Sequence, residues 1–138
     1  MNPFSVLKIS ASAMNAQRQR LNVIASNLAN ANSTRTVEGG GPYRRRDVVF
    51  SAVPIETTTE RLEGVEVTGI VEDQTPLNTI YDPSHPDADA NGYVLMPNVN
   101  VIEEMTNMMM AFRAYEASVS AFNVSKSMFM KALELGRA

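Results

Sequence analysis

Apolar residues recur every seven positions at both ends of this 138-residue chain, and nowhere in the stretch between. Near the start, Leu7, Met14, Leu21 and Leu28 keep the interval, with Phe4, Ala11 and Ala25 at the offset of four. Near the end, Met105, Phe112, Val119 and Leu133 form one row, and Val101, Met108, Tyr115, Phe122 and Phe129 form another. Such a repeat keeps a narrow apolar seam on one side of a helix, where a second helix can lie along it. The expected fold is therefore mainly α with a small β region. Long N- and C-terminal helices pair as an antiparallel coiled coil, and short β-strands occupy the middle.

The first helix should open at Asn2-Pro3, an N-cap followed by proline at the first helical position. It should end near Asn30 or Asn32, where Asn-Ala-Asn-Ser-Thr replaces the stripe with turn chemistry. Roughly 28 residues make a rod about 42 Å long. Arg18 interrupts the seam, its aliphatic stem able to lie along the stripe while the charge reaches outward. The last helix should start at Asn100, with Glu103 completing a capping-box-like pair, and stop near Leu135-Gly136. Its roughly 35 residues span about 52 Å.

This second helix has more apolar surface than one seam can use. Ile102, Met109 and Met130 lie beside the Met105–Phe112 row's neighbour, and Met110 and Met128 widen the stripe further. A helix apolar on several sides must be covered on several sides. Six of the nine methionines lie here, and flexible thioethers adapt to varied partners. Leu21, Leu28, Phe112, Tyr115 and Phe122 are expected in the central seam, with Met109 and Met130 facing neighbouring subunits.

Between the helices, 33–42 reads as loop. Strands are expected over Tyr43–Val53 (stopped by Pro54), Gly64–Glu72 and Tyr93–Met96. The chain thus divides into a terminal helical domain, 1–34 plus 98–138, and a middle β-containing segment, 35–97.

Charge follows the same division. Up to residue 37 there are four basic residues and no acid, over 38–100 eleven acids face four arginines, and the remainder balances. Nucleic-acid binding, which needs a sustained basic surface, is not expected. The acid-free amphipathic start could serve as an organelle transit peptide, but its stripe has a matching partner at the far end. No apolar run approaches the roughly 20 residues of a membrane span, so no direct membrane insertion is expected. Without cysteine, disulfides and thiolate metal sites are excluded.

The middle segment's candidate sites are weak. His85, the only histidine, has no serine elbow or cysteine to serve, although a small hydrolase using His85 and Asp87 is one rival. Asp87-x-Asp89-x-Asn91-Gly92 imitates the start of a calcium loop, but its twelfth position is Asn98 where a bidentate glutamate is required. Gly39-Gly40-Gly41 lacks the Lys and Ser/Thr of a phosphate loop. Arg44-Arg45-Arg46 suits a solvated or intersubunit face. No catalytic residue, cofactor, metal or small-molecule substrate is expected. A second rival is a helical-hairpin adaptor binding a single protein partner.

Several segments are familiar. Leu21-Asn22-Val23-Ile24-Ala25-Ser26-Asn27-Leu28-Ala29-Asn30-Ala31-Asn32-Ser33 resembles the N-terminal signature of the bacterial flagellar rod and hook proteins. Asn98-Val99-Asn100, Glu103-Glu104-Met105 and Arg113-Ala114-Tyr115-Glu116-Ala117 are similar to their C-terminal signature. Between them, Gly41-Pro42-Tyr43-Arg44-Arg45, the Tyr81–Ala88 run and Gly92-Tyr93-Val94 resemble the proximal-rod members. The departure from the common pattern is Met108-Met109-Met110-Ala111-Phe112, where relatives often carry a more polar stretch.

The resemblance implies a structural subunit exported unfolded through the flagellar type III apparatus without a cleaved signal. It would assemble with copies of itself and other rod proteins into the rod crossing the periplasm, with the terminal helices inside. Asn27, Asn30, Asn32, Tyr43, Asn98, Asn100, Glu104, Arg113, Tyr115 and Glu116 carry the family motif. The expected assembly interface is Leu7, Met14, Leu21, Leu28, Met105, Met108, Met109, Phe112, Tyr115, Val119, Phe122, Phe129 and Met130.

Overall fold

The computed structural model describes residues 3–37, 39–55 and 61–137. Asn2, the expected cap of the first helix, lies outside them. The element order is α1 (Pro3–Ala29), β1 (Arg46–Ile55), β2 (Leu62–Glu72), β3 (Asn78–Tyr81), β4 (Tyr93–Met96) and α2 (Val101–Gly136).

α1 stops at Ala29, slightly before the asparagine-rich turn. There the Ala31 N–H donates to Leu28 O at 3.3 Å and the Ser33 N–H to Asn30 O at 3.0 Å, so the chain tightens and leaves the helix. α2 begins where expected. The Asn100 side-chain oxygen accepts from the N–H groups of Ile102 and Glu103 at 3.0 and 3.3 Å, satisfying donors that the first turn leaves orphaned. Gly136 is still helical, and Arg137 forms the C-terminal cap.

The Phe4 and Phe129 rings meet edge-to-face at 5.3 Å, while Asn27 bonds Glu104 at the opposite end. The two helices therefore run in opposite directions. At 36 residues against 27, α2 outruns α1, and its last turns carry Leu133 and Leu135 exposed.

α1 is the middle layer, with α2 against one side and both strands of the β1–β2 hairpin along another. The strands pair antiparallel from Arg46↔Glu72 to Ile55↔Leu62, with a bulge between Val49 and Phe50. β1 does not stop at Pro54, which pairs with Glu63. A two-stranded ribbon consists of edges, where a missing N–H is tolerated. Close approach to the helix depends on Gly64, because a Cβ there would sit 2.8 Å from Ser12 Oγ and 3.0 Å from Ile55 Cδ1. That hydroxyl accepts from the Val65 N–H at 3.1 Å and pins ribbon to helix.

β3 and β4 form a second ribbon, Asn78↔Met96 to Tyr81↔Tyr93. The Asn78–Tyr81 strand was not anticipated from sequence. The buried apolar core is thin: Ala16, Val23, Ile24, Tyr43, Val94, Val99 and Ala111.

The face that α2 turns inward differs from the expected seam in one row. Met108, Tyr115, Phe122 and Phe129 are half-buried, whereas Val101, the first member of the same predicted row, is exposed. Their inward companions are Glu104, Ala111, Ser118 and Ser125, not Met105, Phe112 and Leu133, which are exposed. Val119 sits at the margin, half-buried. Small side chains let the helix axes approach, whereas a row containing Phe112 would hold them apart.

Candidate functional site

Where the C-terminal end of α1, the start of β1 and the first turn of α2 converge, the chain buries a polar knot. Asn27 and Glu104 are both 0% exposed. The Asn27 amide nitrogen donates to Glu104 Oε2 and to Arg46 O, each at 2.8 Å. Its oxygen accepts from the Tyr43 hydroxyl and the Arg46 N–H, each at 2.9 Å. All four bonding positions of this amide are therefore used, which offsets its removal from water.

Arg45 completes the charge balance. Its Nε donates to the other Glu104 oxygen at 2.7 Å, and its terminal nitrogens reach Asp47 at 3.3 Å and Asp73 at 3.5 Å. Burial alone would lower the guanidinium's pKa. The hydrogen bond and charge of Glu104, then Asp47, outweigh it, so the value is raised and the group stays charged. A buried carboxylate paired on one oxygen by guanidinium and on the other by amide is what low-dielectric surroundings require. Asn98 ties in the approach to α2. Its oxygen accepts from the Arg45 N–H at 2.8 Å, and its amide donates to Asp73 O and Thr75 O at 3.1 Å.

A second polar contact fastens the loop after α1 to the 82–92 loop. Arg35 pairs with Asp87, and the Thr34 hydroxyl donates to the same carboxylate at 2.7 Å. The Arg35 and Thr34 hydrogen bonds hold Asp87 below its usual pKa. His85 Nδ1 accepts from the Asp87 N–H at 3.0 Å, so it serves turn geometry. Asp89 Oδ1 accepts from the N–H groups of Asn91 and Tyr93 at 2.8 and 2.9 Å, closing an Asx turn around Gly92. Gly92 has φ +82°, and a Cβ there would meet the Tyr81 ring at 2.9 Å. Among the described residues no cluster of three or more metal-ligating side chains occurs.

The other prominent feature is apolar. Met105, Met109 and Phe112, at helical spacings of four and three, are 56%, 60% and 53% exposed on one flank of α2. Met110, Val124, Met128 and Met130 extend the exposed apolar surface along the helix. No described helix is long and apolar enough to cross a membrane.

Of the residues expected at an assembly interface, Leu7, Met14, Leu21 and Leu28 are half-buried on α1. Met108, Tyr115, Val119, Phe122 and Phe129 are half-buried on α2, and Met105, Met109, Phe112 and Met130 are exposed. Phe112 is therefore more than half exposed and not enclosed between the two helices. Among the motif residues, Asn27, Tyr43, Asn98 and Glu104 meet in the knot, and Asn100 caps α2. Asn30 donates to Ser26 O at 2.9 Å and accepts from the Ser33 hydroxyl at 3.1 Å, shaping the exit turn. Asn32, Arg113 and Glu116 are exposed, and Tyr115 is half-buried. Arg18 is exposed and donates to Asn15 at 3.0 Å. Sequence reasoning placed Arg45 in a basic run and in the familiar Gly41–Arg45 segment, with no buried role for it. Its alternation with the buried Tyr43 was the available signal that it points inward.

Known proteins are similar to this chain at both ends. Residues 7–35 match the family model described as "Flagella basal body rod protein", and 90–135 match "Flagellar basal body rod FlgEFG protein C-terminal". The chain is 48% identical to the flagellar basal-body rod protein FlgC of Salmonella typhimurium over 135 residues, covering 96% of this chain and 97% of that one. It is 43% identical to FlgC of Bacillus subtilis over 150 residues, covering 99% and 100%. With FlgC of Borreliella burgdorferi the identity is 41%, covering 98% of each.

Proposed function

Because this chain belongs to the FlgC family of flagellar basal-body rod proteins, and is a structural rod subunit and not an enzyme, we propose that its terminal helices build the proximal part of the rod. Segments 1–34 and 98–138 form the inner, axial layer, and 35–97 forms the outer part. In that layer α1 and α2 pair as an antiparallel coiled coil, through Leu7, Met14, Leu21 and Leu28 on one helix and Met108, Tyr115, Phe122 and Phe129 on the other. Copies of the chain and other rod proteins cover the remaining apolar flank. The subunit reaches the rod through the flagellar type III export apparatus, without a cleaved signal, and contributes to a shaft crossing the periplasm.

The observation that carries this proposal is the exposed flank of Met105, Met109 and Phe112 in a single copy. Fully burying such a side chain contributes about 1.5–3 kcal/mol, and a little over half of each remains to be covered, so the three together favour association by a few kcal/mol. Met130 continues the flank toward the C-terminus, and Val119 lies at its border with the helix pair. A long helix gains most of its stability from packing, so ordering that waits for neighbours is compatible with export.

Phe112→Asp tests the proposal. Because Phe112 is more than half exposed, the subunit should keep its fold, while a charge enters the intersubunit contact. In cells depending on this chain, the variant should be synthesised but absent from isolated basal bodies, and swimming should be lost. Normal incorporation would remove Phe112 from the interface.

A further inference from the structure

The two helices meet through rows that repeat every seven residues, and a repeating contact does not define its own alignment. Sliding α2 by seven residues so that Ala111 comes opposite Asn27 sets Tyr115, Phe122 and Phe129 in the places of Met108, Tyr115 and Phe122, with Gly136 reaching the place of Phe129. It also replaces Ala111, Ser118 and Ser125 by one another. On α1, Leu7, Met14, Leu21 and Leu28 are equally interchangeable. Apolar packing therefore discriminates poorly between the observed alignment and one displaced by about 10 Å.

Asn98 anchors the approach to α2, and within the helix rows themselves one position breaks the repeat. Glu104 begins the row continued by Ala111, Ser118 and Ser125, and it alone in that row carries a charge. It is fully buried, and its two oxygens accept from Asn27 at 2.8 Å and Arg45 at 2.7 Å. In a displaced alignment, either Ala111 faces Asn27, or Glu104 lies one repeat earlier on α1, opposite Arg20 and away from Arg45; each way the buried Asn27 amide loses its Glu104 acceptor. Both arrangements strand a buried polar group.

We propose that Glu104, held by Asn27 and Arg45, is the positioning residue that sets the axial alignment of α2 on α1. This rests on the helix pairing proposed above. A single buried polar contact defining the register of otherwise interchangeable apolar layers is a known use of such groups. The alignment determines which α2 residues form the outward flank beside any point of α1, and so the surface offered to a neighbouring subunit. Removing Glu104 does not orphan its partners wholesale. Arg45 keeps Asp47 and Asp73, and the Asn27 amide keeps Arg46 O.

The chain has no cysteine, so exposed Asn15 and Lys131 can be replaced by cysteine and spin-labelled without competing sites. Pulsed electron–electron resonance on the purified full-length chain then reads the helix alignment as a distance. With Glu104 present, one narrow distance is expected. Glu104→Met, which matches the side chain's length without its charge, should keep the helicity seen by circular dichroism and add a population displaced by about 10 Å. The ratio of native to displaced alignment should fall about tenfold or more. Combining Glu104→Ala with Ala111→Glu should shift the main distance about 10 Å shorter, because the carboxylate now meets Asn27 one repeat later.

A single unshifted distance in both variants would overturn the proposal. Helicity lost in Glu104→Met would also overturn it, by making Glu104 a stability residue and not a register residue. If the parent chain itself gives no defined distance, the helix pairing fails first, which separates the two claims.

Discussion

At the scale of single residues, the carboxylates of the middle segment do structural work. The Asp73 carboxylate accepts from the Thr75 N–H, Asp82 from the Ser84 hydroxyl and N–H, and Asp87 from Arg35 and Thr34. These bonds to the charged form lower all three pKa values below the usual 3.8. A group whose pKa is depressed on folding binds its proton more readily in the unfolded chain. Its contribution is complete above the unfolded value, near pH 4, and is lost as the pH falls through the lower folded values. Urea midpoints measured from pH 5 downward should thus fall, with the steepest loss below about pH 4. A midpoint constant from pH 5 to pH 2.5 would mean that these bonds contribute nothing. Residue chemistry was partly legible in the sequence. Asn100 announced itself as a cap by preceding Glu103 and an apolar run. The burial of Asn27 and Glu104 did not, because hydropathy assigns both residue types to the surface and only the folded chain brings their partners together.

At the scale of elements, the hairpin depends on one small residue. β2 lies against α1 at Gly64, where Ser12 and Ile55 already occupy the space a Cβ would take. Gly64→Ala should force the ribbon off the helix or distort Ser12, costing about 1–3 kcal/mol as overpacking does. Urea unfolding checks this, and an unchanged midpoint would mean that the ribbon moves aside without cost. Element boundaries show what patterning encodes. Both helices and β4 were legible, since seven-residue rows and a short apolar run stopped by Pro97 report burial directly. β3 was not, because Asn78–Tyr81 is exposed at every position and offers no alternation. Pro54 misled for a physical reason: it forbids a central strand, and this ribbon has none.

At the scale of the whole molecule, the two helices expose different information. Hydrophobicity along α2 records everything the helix will touch, whether in its own chain or in another. The sequence pattern therefore combined the inward row of Met108, Tyr115, Phe122 and Phe129 with the outward residues Met105 and Phe112, and only the structure separates them. The small inward row, Ala111, Ser118 and Ser125, has too little hydrophobicity to stand out. What remains exposed is the surface that the proposed assembly would have neighbouring subunits cover. Methionine oxidation followed by mass spectrometry tests that claim most directly, since thioethers oxidise according to their exposure. In the separated subunit, Met105, Met109 and Met130 should oxidise rapidly; in assembled basal bodies the same three should be protected. Equal oxidation in both states would contradict the account, because the flank would then face solvent in the rod as it does alone.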